Sequence, residues 1–257
     1  MQERHNNRRL YFRELAETSA NYYIPYITRW HEVRAGMKVL EIGCGEGGNL
    51  LPFARLGCEV TGVDIASCRI EEARRFFRDE QAWGRFIAAD ILKLEEPACG
   101  YDIIICHDVL EHISDKDRLL SRIAGCLGPG GIVFMSFPAW QMPFGGHQQI
   151  CRSRILSHLP FVHLLPEALY KGVIRLSGES RACLQELLAI RSTRITIEAF
   201  ERLVGQANLT IQDRTLYLVN PHYKVKFGLT PRLLKRPLSS VPYLRDFLSS
   251  SCFYILK

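Results

Sequence analysis

An α/β fold, with a doubly wound and mostly parallel seven-stranded sheet carrying helical insertions, is what this sequence predicts. Three observations point there. Short β-rich runs alternate with helical stretches from residue 38 to 137, the first of these runs empties into a glycine-rich turn, and the second ends on the acidic residue Asp64. Strands that alternate with helices of that length form βαβ units, whose right-handed crossovers place helices on both faces of a parallel sheet.

Residues 1–34 are expected to form a helical cap. Leu10, Tyr11, Leu15, Tyr22, Tyr23, Tyr26, Ile27 and Trp30 are spaced for a helix over 8–32, with Pro25 kinking it or dividing it in two. Residues 35–137 should form the α/β core. Its strands are predicted at Lys38–Ile42, Glu59–Asp64, Arg85–Ala89, Tyr101–Cys106 and Ile132–Phe137, and its helices near 48–56, 67–80 and 115–126. The pattern breaks after Pro138. Residues 139–150 are rich in Gly, Pro and aromatics, and 151–194 read as helices interrupted by Pro160 and Pro166. Residues 195–257 restore regularity, with a helix near 196–207 opened by Thr196, a strand near 209–219 and a closing strand at Cys252–Leu256. Four prolines in 220–250 mark a second insertion between those two strands.

Composition bounds the function class. Of 257 residues, 47% are hydrophobic and 23% charged, which is ordinary for a folded enzyme and excludes a mainly disordered chain. There is no apolar run near the roughly 20 residues that span a bilayer, and the first residues are polar and Arg-rich, so a cytoplasmic location is expected. Nine cysteines include no CxxC pair, which suggests reduced thiols ahead of a disulfide framework or a zinc site. The net charge of +6 is uneven. The core 35–137 carries 11 basic and 16 acidic residues, whereas 138–194 carries 7 and 3, and 220–250 carries 6 and 1.

The chemistry centres on Val39-Leu-Glu-Ile-Gly-Cys-Gly-Glu-Gly-Gly48, a strand followed by a turn in which glycine lets the backbone bend tightly and approach a ligand. An acidic side chain at the end of the next strand, Asp64, is placed to meet ribose hydroxyls. These residues resemble motif I of the class I S-adenosylmethionine-dependent methyltransferases, which are Rossmann-like. Four more landmarks follow in register: Asp64, Ala89-Asp90-Ile91, Tyr101-Asp102 and Leu127-Gly-Pro-Gly-Gly131. The resemblance implies S-adenosylmethionine as cofactor, with S-adenosylhomocysteine as product. It implies that Gly43 and Gly45 line the methionine portion, with Cys44 between them in the same loop and Glu41 supporting it. Asp64 would then hold the ribose, Ile65 would lie against the adenine, Asp90 would accept from the adenine amino group and Ile91 would pack on the ring.

The end of the fourth strand, Cys106-His-Asp-Val-Leu-Glu-His112, resembles the E-x-x-E-H motif of ubiquinone-type small-molecule O-methyltransferases, with Asp108 replacing the first Glu. Asp108, Glu111 and His112 can hold a divalent cation or orient an acceptor, and no metal is assigned to them. Methyl transfer from a sulfonium needs mainly positioning, plus a general base when the nucleophile is a hydroxyl. His112 is the first candidate base and His147, in the Phe144-Gly-Gly-His147 loop, the second; His107 is read as a contact of the cofactor loop. Acceptor choice should lie in the N-terminal cap and the two basic insertions, 138–194 acting as a lid. A small-molecule acceptor is expected, whether a metabolite, a sugar or a lipid-linked precursor, with positive charge over the cleft favouring an anionic one. The alternatives are N- or C-methylation, including of nucleic acid, and a cofactor-binding scaffold without turnover. No nucleic-acid module accompanies the basic residues, and Pro160 and Pro166 interrupt any continuous membrane-surface helix, which leaves peripheral membrane contact as a minor alternative. The oligomeric state is not encoded in any recognisable pattern.

Overall fold

A computed structural model describes residues 7–94 and 99–257 of the chain. Helix α1 (Arg8–Thr18) runs through a π-helical turn, Ser19–Tyr23, into α2 (Ile24–Thr28). The kink anticipated at Pro25 is this turn. Proline lacks the N–H that would continue the ladder, and a widened turn accommodates the missing bond without breaking the helix. The core follows as β1 (Lys38–Ile42), α3 (Leu51–Arg55), β2 (Glu59–Asp64), α4 (Ser67–Asp79), β3 (Arg85–Ala88), β4 (Tyr101–His107), α5 (Lys116–Cys126) and β5 (Leu127–Phe137). The insertion contributes α6 (Arg154–His158), α7 (Glu167–Leu176) and α8 (Arg181–Ser192). The chain closes with α9 (Ile197–Gln206), β6 (Ile211–Val219), α10 (His222–Phe227), β7 (Arg232–Leu233), α11 (Leu244–Leu248) and β8 (Ser251–Leu256).

The sheet order is β3-β2-β1-β4-β5-β8-β6-β7. β1 to β5 are parallel, while β8 is antiparallel to both β5 and β6. The doubly wound, mostly parallel expectation holds, with eight strands where seven were expected. The addition is β7, an exposed two-residue edge strand inside the 220–250 insertion that pairs with Tyr217 and Val219. A pairing that short leaves no alternation to read. β5 also begins at Leu127, five residues earlier than expected, because the Gly-Pro-Gly-Gly stretch is itself extended. Gly131 is required there, since a Cβ would sit 2.6 Å from the Tyr101 carbonyl oxygen.

Alternation along each central strand splits the core into two layers. Leu40, Ile42, Ile104, Cys106, Val133, Met135 and Phe137 face α5 and α9. Val39, Ile103, Ile105, Ile132 and Phe134 face the other way, toward Phe12 of α1, Phe53 of α3 and Phe76 of α4. Residues 151–187 enclose a small third cluster of their own, around Cys151, Tyr170 and Leu187. Strand order reverses between β1 and β4, and in such sheets the crevice outside the carboxyl ends of the strands at that reversal is the ligand site.

Candidate functional site

At the end of β1 the chain must turn sharply beneath the crevice. The N–H groups of Gly43 and Cys44 both donate to the Val63 carbonyl, at 2.7 and 3.1 Å, tying the turn to the end of β2. Gly43 has φ +71°, and a Cβ on it would lie 2.2 Å from Val109 Cγ2, so the position admits only glycine without rearrangement. Gly45, at φ +50°, donates its N–H to Asp64 Oδ2 at 2.8 Å. The other oxygen, Asp64 Oδ1, accepts from Ala66 N at 2.8 Å. Asp64 is thus fixed in direction by two backbone donors, and each oxygen keeps lone-pair capacity for a hydroxyl. Ile65 projects outward beside it, 75% exposed.

The remaining core residues take distinct places. Glu41 is buried beneath the turn and accepts from Asn49 Nδ2 at 2.7 Å; burial pushes its carboxyl up to about 8. Cys44 turns its side chain away from the crevice into the layer that contains Val39 and Phe53. Asp90 closes a local turn by accepting from Leu92 N at 3.0 Å, with Lys93 Nζ 3.7 Å from its other oxygen. Ile91 is packed into the core layer that includes Leu40 and Leu110. His107 is buried, its Nε2 hydrogen-bonded at 2.6 Å to the Tyr23 hydroxyl from the N-terminal π turn.

Beyond β4 the chain bends at Asp108, which has φ +51° and an exposed carboxylate. A short 3-10 turn, Leu110–His112, follows. Glu111 points inward, and neither of its carboxyl oxygens has a hydrogen-bond partner. Burial first, and the Asp108 charge second, raise its pKa well above the ordinary carboxylate value. His112 lies at the mouth of the crevice, and its ring meets that of His147 edge-on with centroids 5.2 Å apart. Burial lowers the pKa of His112, while Asp108 opposes that shift. His147 is lowered further, to about 4, by burial and then by His112. Both imidazoles are therefore predominantly neutral near pH 7.

The cation-capable set differs from the sequence expectation. Glu111, His112 and His147 place one donor atom each within 4.8 Å of one another, so that His147 takes the place anticipated for Asp108. Asp108, at its left-handed bend, instead brings a carboxylate oxygen to 3.7 Å from His107 Nε2. His147 is held by its own loop. Gly145 and Gly146 allow close approach, because a Cβ on either would lie 2.2 Å from Trp140 O or His163 Cβ respectively. Glycine there serves tight packing of the loop onto its neighbours.

Three further side chains approach the site. Tyr11 of α1 is a phenol raised by burial and then by Asp108. Tyr223 of α10 is raised by burial and by Asp108 as well. Arg69, in the first turn of α4, brings its guanidinium to 3.9 Å from the Cβ position of Gly45. The sequence placed both tyrosines in segments expected to govern acceptor choice, the N-terminal cap and the 220–250 insertion, and did not single out Arg69. A groove of about 720 Å³ between α1 and α3, lined by Arg13, Glu17, Leu51 and Arg55, belongs to a different part of the surface.

Comparison with known proteins adds three findings. A family model described as a methyltransferase domain matches residues 4–213. A ubiquinone biosynthesis O-methyltransferase from Mesorhizobium japonicum is 28% identical over 186 residues, covering 72% of this chain and 65% of that protein. Its namesake from Coxiella burnetii is 36% identical over 101 residues, 39% of this chain and 43% of that protein. The matches thus span less than two thirds of each relative's length. Among solved structures, an S-adenosylmethionine-dependent methyltransferase from Clostridium acetobutylicum superposes with a TM-score of 0.58 over 94% of this chain and 91% of its own, at 12% identity. That likeness concerns the fold alone.

Proposed function

Because this chain belongs to the methyltransferase-domain family, we propose that it transfers a methyl group from S-adenosylmethionine to a hydroxyl of a small-molecule acceptor. The observation that carries the hydroxyl assignment is the pair of neutral imidazoles, His112 and His147, beside the Gly43–Gly45 turn at the carboxyl ends of β1 and β4. A hydroxyl nucleophile needs a base in its neutral form near pH 7, and an amine in its free form does not. The printed names of the two relatives, both O-methyltransferases, support the same reading.

The residues fit the cofactor. Asp64 offers two oriented carboxylate oxygens to a ribose, the turn excludes any Cβ at Gly43, and exposed Ile65 offers an apolar surface to an adenine. When bound, the sulfonium supplies an electrophilic methyl with a good leaving group. The protein's part is to hold the acceptor in line and accept its proton. His112 is the better proton acceptor, since it is less strongly shifted than His147 and lies at the mouth of the crevice. His147 packs edge-on against His112, and the charge of a protonated His112 disfavours protonation of His147. Tyr11, Tyr23, His147 and Tyr223 reach the neighbourhood of Asp108 from the cap and both insertions, which supports the assignment of these segments as acceptor walls and of 138–194 as a lid. Arg69 and the basic insertions favour an anionic acceptor. Among the described residues no helix is long and apolar enough to cross a membrane.

The test is transfer of labelled methyl to a panel of hydroxylated and aminated small molecules. Methyl ethers are the expected products. His112→Ala should lower kcat about 100-fold or more at pH 7, in the range lost with a general base, and leave cofactor affinity within a few-fold. Methylation confined to amines, or an unchanged kcat in the variant, would contradict the assignment.

A further inference from the structure

Away from the crevice, the insertion brings together two cysteines and a carboxylate that are distant in sequence. Cys151 Sγ and Cys183 Sγ are 3.9 Å apart, and a Glu179 oxygen joins them with all three donor atoms within 4.8 Å of one another. Cys151 is 2% exposed, whereas Cys183 and Glu179 are half-buried. We infer that Cys151, Cys183 and Glu179 form a binding site for a borderline-soft divalent cation of the zinc type, which fastens the 138–194 insertion.

The separation of the sulfurs is that of co-ligands. At a zinc–sulfur distance of about 2.3 Å, tetrahedral geometry places two thiolates about 3.8 Å apart. A disulfide requires about 2.05 Å and makes no use of a third, oxygen donor. Two sulfurs and a carboxylate are a donor set suited to zinc, too soft for magnesium or calcium. The carboxylate is already oriented, since Glu179 Oε1 accepts from Ser153 N at 2.8 Å, as ligands held by an outer shell usually are. Cys183 lies in the first turn of the 12-residue helix α8, where the helix dipole favours a negatively charged cluster. Independently, Tyr170 is fully buried in the same cluster and its hydroxyl has no hydrogen-bond partner. Cys151 lies in that cluster and Cys183 packs against it, so the hydroxyl belongs to the same small interior as the thiols. A water completing the metal's coordination would give the hydroxyl an acceptor. Binding displaces two thiol protons, so uptake should weaken as pH falls.

The sequence showed none of this. The ligands lie at positions 151, 179 and 183, without the CxxC spacing by which zinc sites are usually recognised. Its consequence is mechanical. Cys151 follows the His147 loop closely in sequence, and the cation would fix that end of the loop to α8.

The experiment is optical titration of the reduced full-length chain with Co²⁺, with Zn²⁺ competition. Thiolate-to-cobalt charge transfer reports sulfur ligation only, so the Glu111, His112 and His147 set is silent in it. One equivalent with a tetrahedral spectrum is expected. The band should vanish in Cys151→Ser and Cys183→Ser, and Glu179→Ala should weaken binding at least tenfold. If the serine variants fail to fold, protection of Cys151 and Cys183 from alkylation by Zn²⁺ in the wild type, read by mass spectrometry, decides the matter without them. No charge-transfer band in folded, reduced wild type, a band that survives Cys183→Ser, or alkylation unaffected by Zn²⁺ would each overturn the site.

Discussion

At the scale of single residues, the site is built by constraints that backbone geometry imposes on side chains. Glu41 illustrates the cost. Its carboxyl is buried beneath the glycine turn with one oxygen satisfied by Asn49 and the other without a partner. Folding raises its pKa from an ordinary value of 4.5 to about 8, chiefly through burial. The folded state therefore binds a proton that the unfolded chain releases. The stabilisation is complete below about pH 4.5 and is lost as pH rises toward about 8. Glu41→Gln keeps an acceptor for Asn49 and removes the ionisation. Urea unfolding at several pH values should show the variant gaining stability relative to wild type as pH rises through this window, and parallel profiles would contradict the burial argument. Gly43, Gly45 and Asp64 were legible in the sequence because a tight turn and a strand-end carboxylate have few chemical solutions. The inward turn of Cys44 and the replacement of Asp108 by His147 beside Glu111 were not, because both depend on a left-handed bend or a side-chain direction that no residue type dictates.

At the scale of elements, strands and helices were found where apolar periodicity was strong. Thr196 caps α9 as its position suggested, accepting from Ala199 N at 3.1 Å. The short elements of the 220–250 insertion escaped because two to six residues carry too little pattern, and tertiary contacts hold them instead. α11 is an example. Arg245 is 6% exposed and bonds Glu198 at 3.1 Å and Glu201 at 3.0 Å on α9, while Asp246 accepts from Ile197 N at 2.9 Å. Arg245→Ala should cost about 3 kcal/mol, the lower end for breaking a buried pair because both glutamates keep some solvent. A denaturant-derived loss below about 1 kcal/mol would show the contact to be no stronger than a surface ion pair.

At the scale of the whole molecule, the fold gathers distant segments around one crevice. α1 and its π turn bring Tyr11 and Tyr23 to the end of β4, the first insertion brings His147, and α10 brings Tyr223. The sheet supplies the Gly43 turn and Asp64 at the place where its strand order reverses. The same division separates what sequence can reveal from what it cannot, since the glycine turn is one local motif and the groups around Asp108 come from pieces some 200 residues apart. The central claim is that the turn and Asp64 form a cofactor site. Calorimetric titration of the full chain with S-adenosylmethionine and S-adenosylhomocysteine, repeated on Asp64→Ala, tests it most directly. One-site binding to wild type, weakened at least tenfold in the folded variant, is the predicted result. Folded wild type that binds neither compound, or a variant that binds both as tightly, would contradict it.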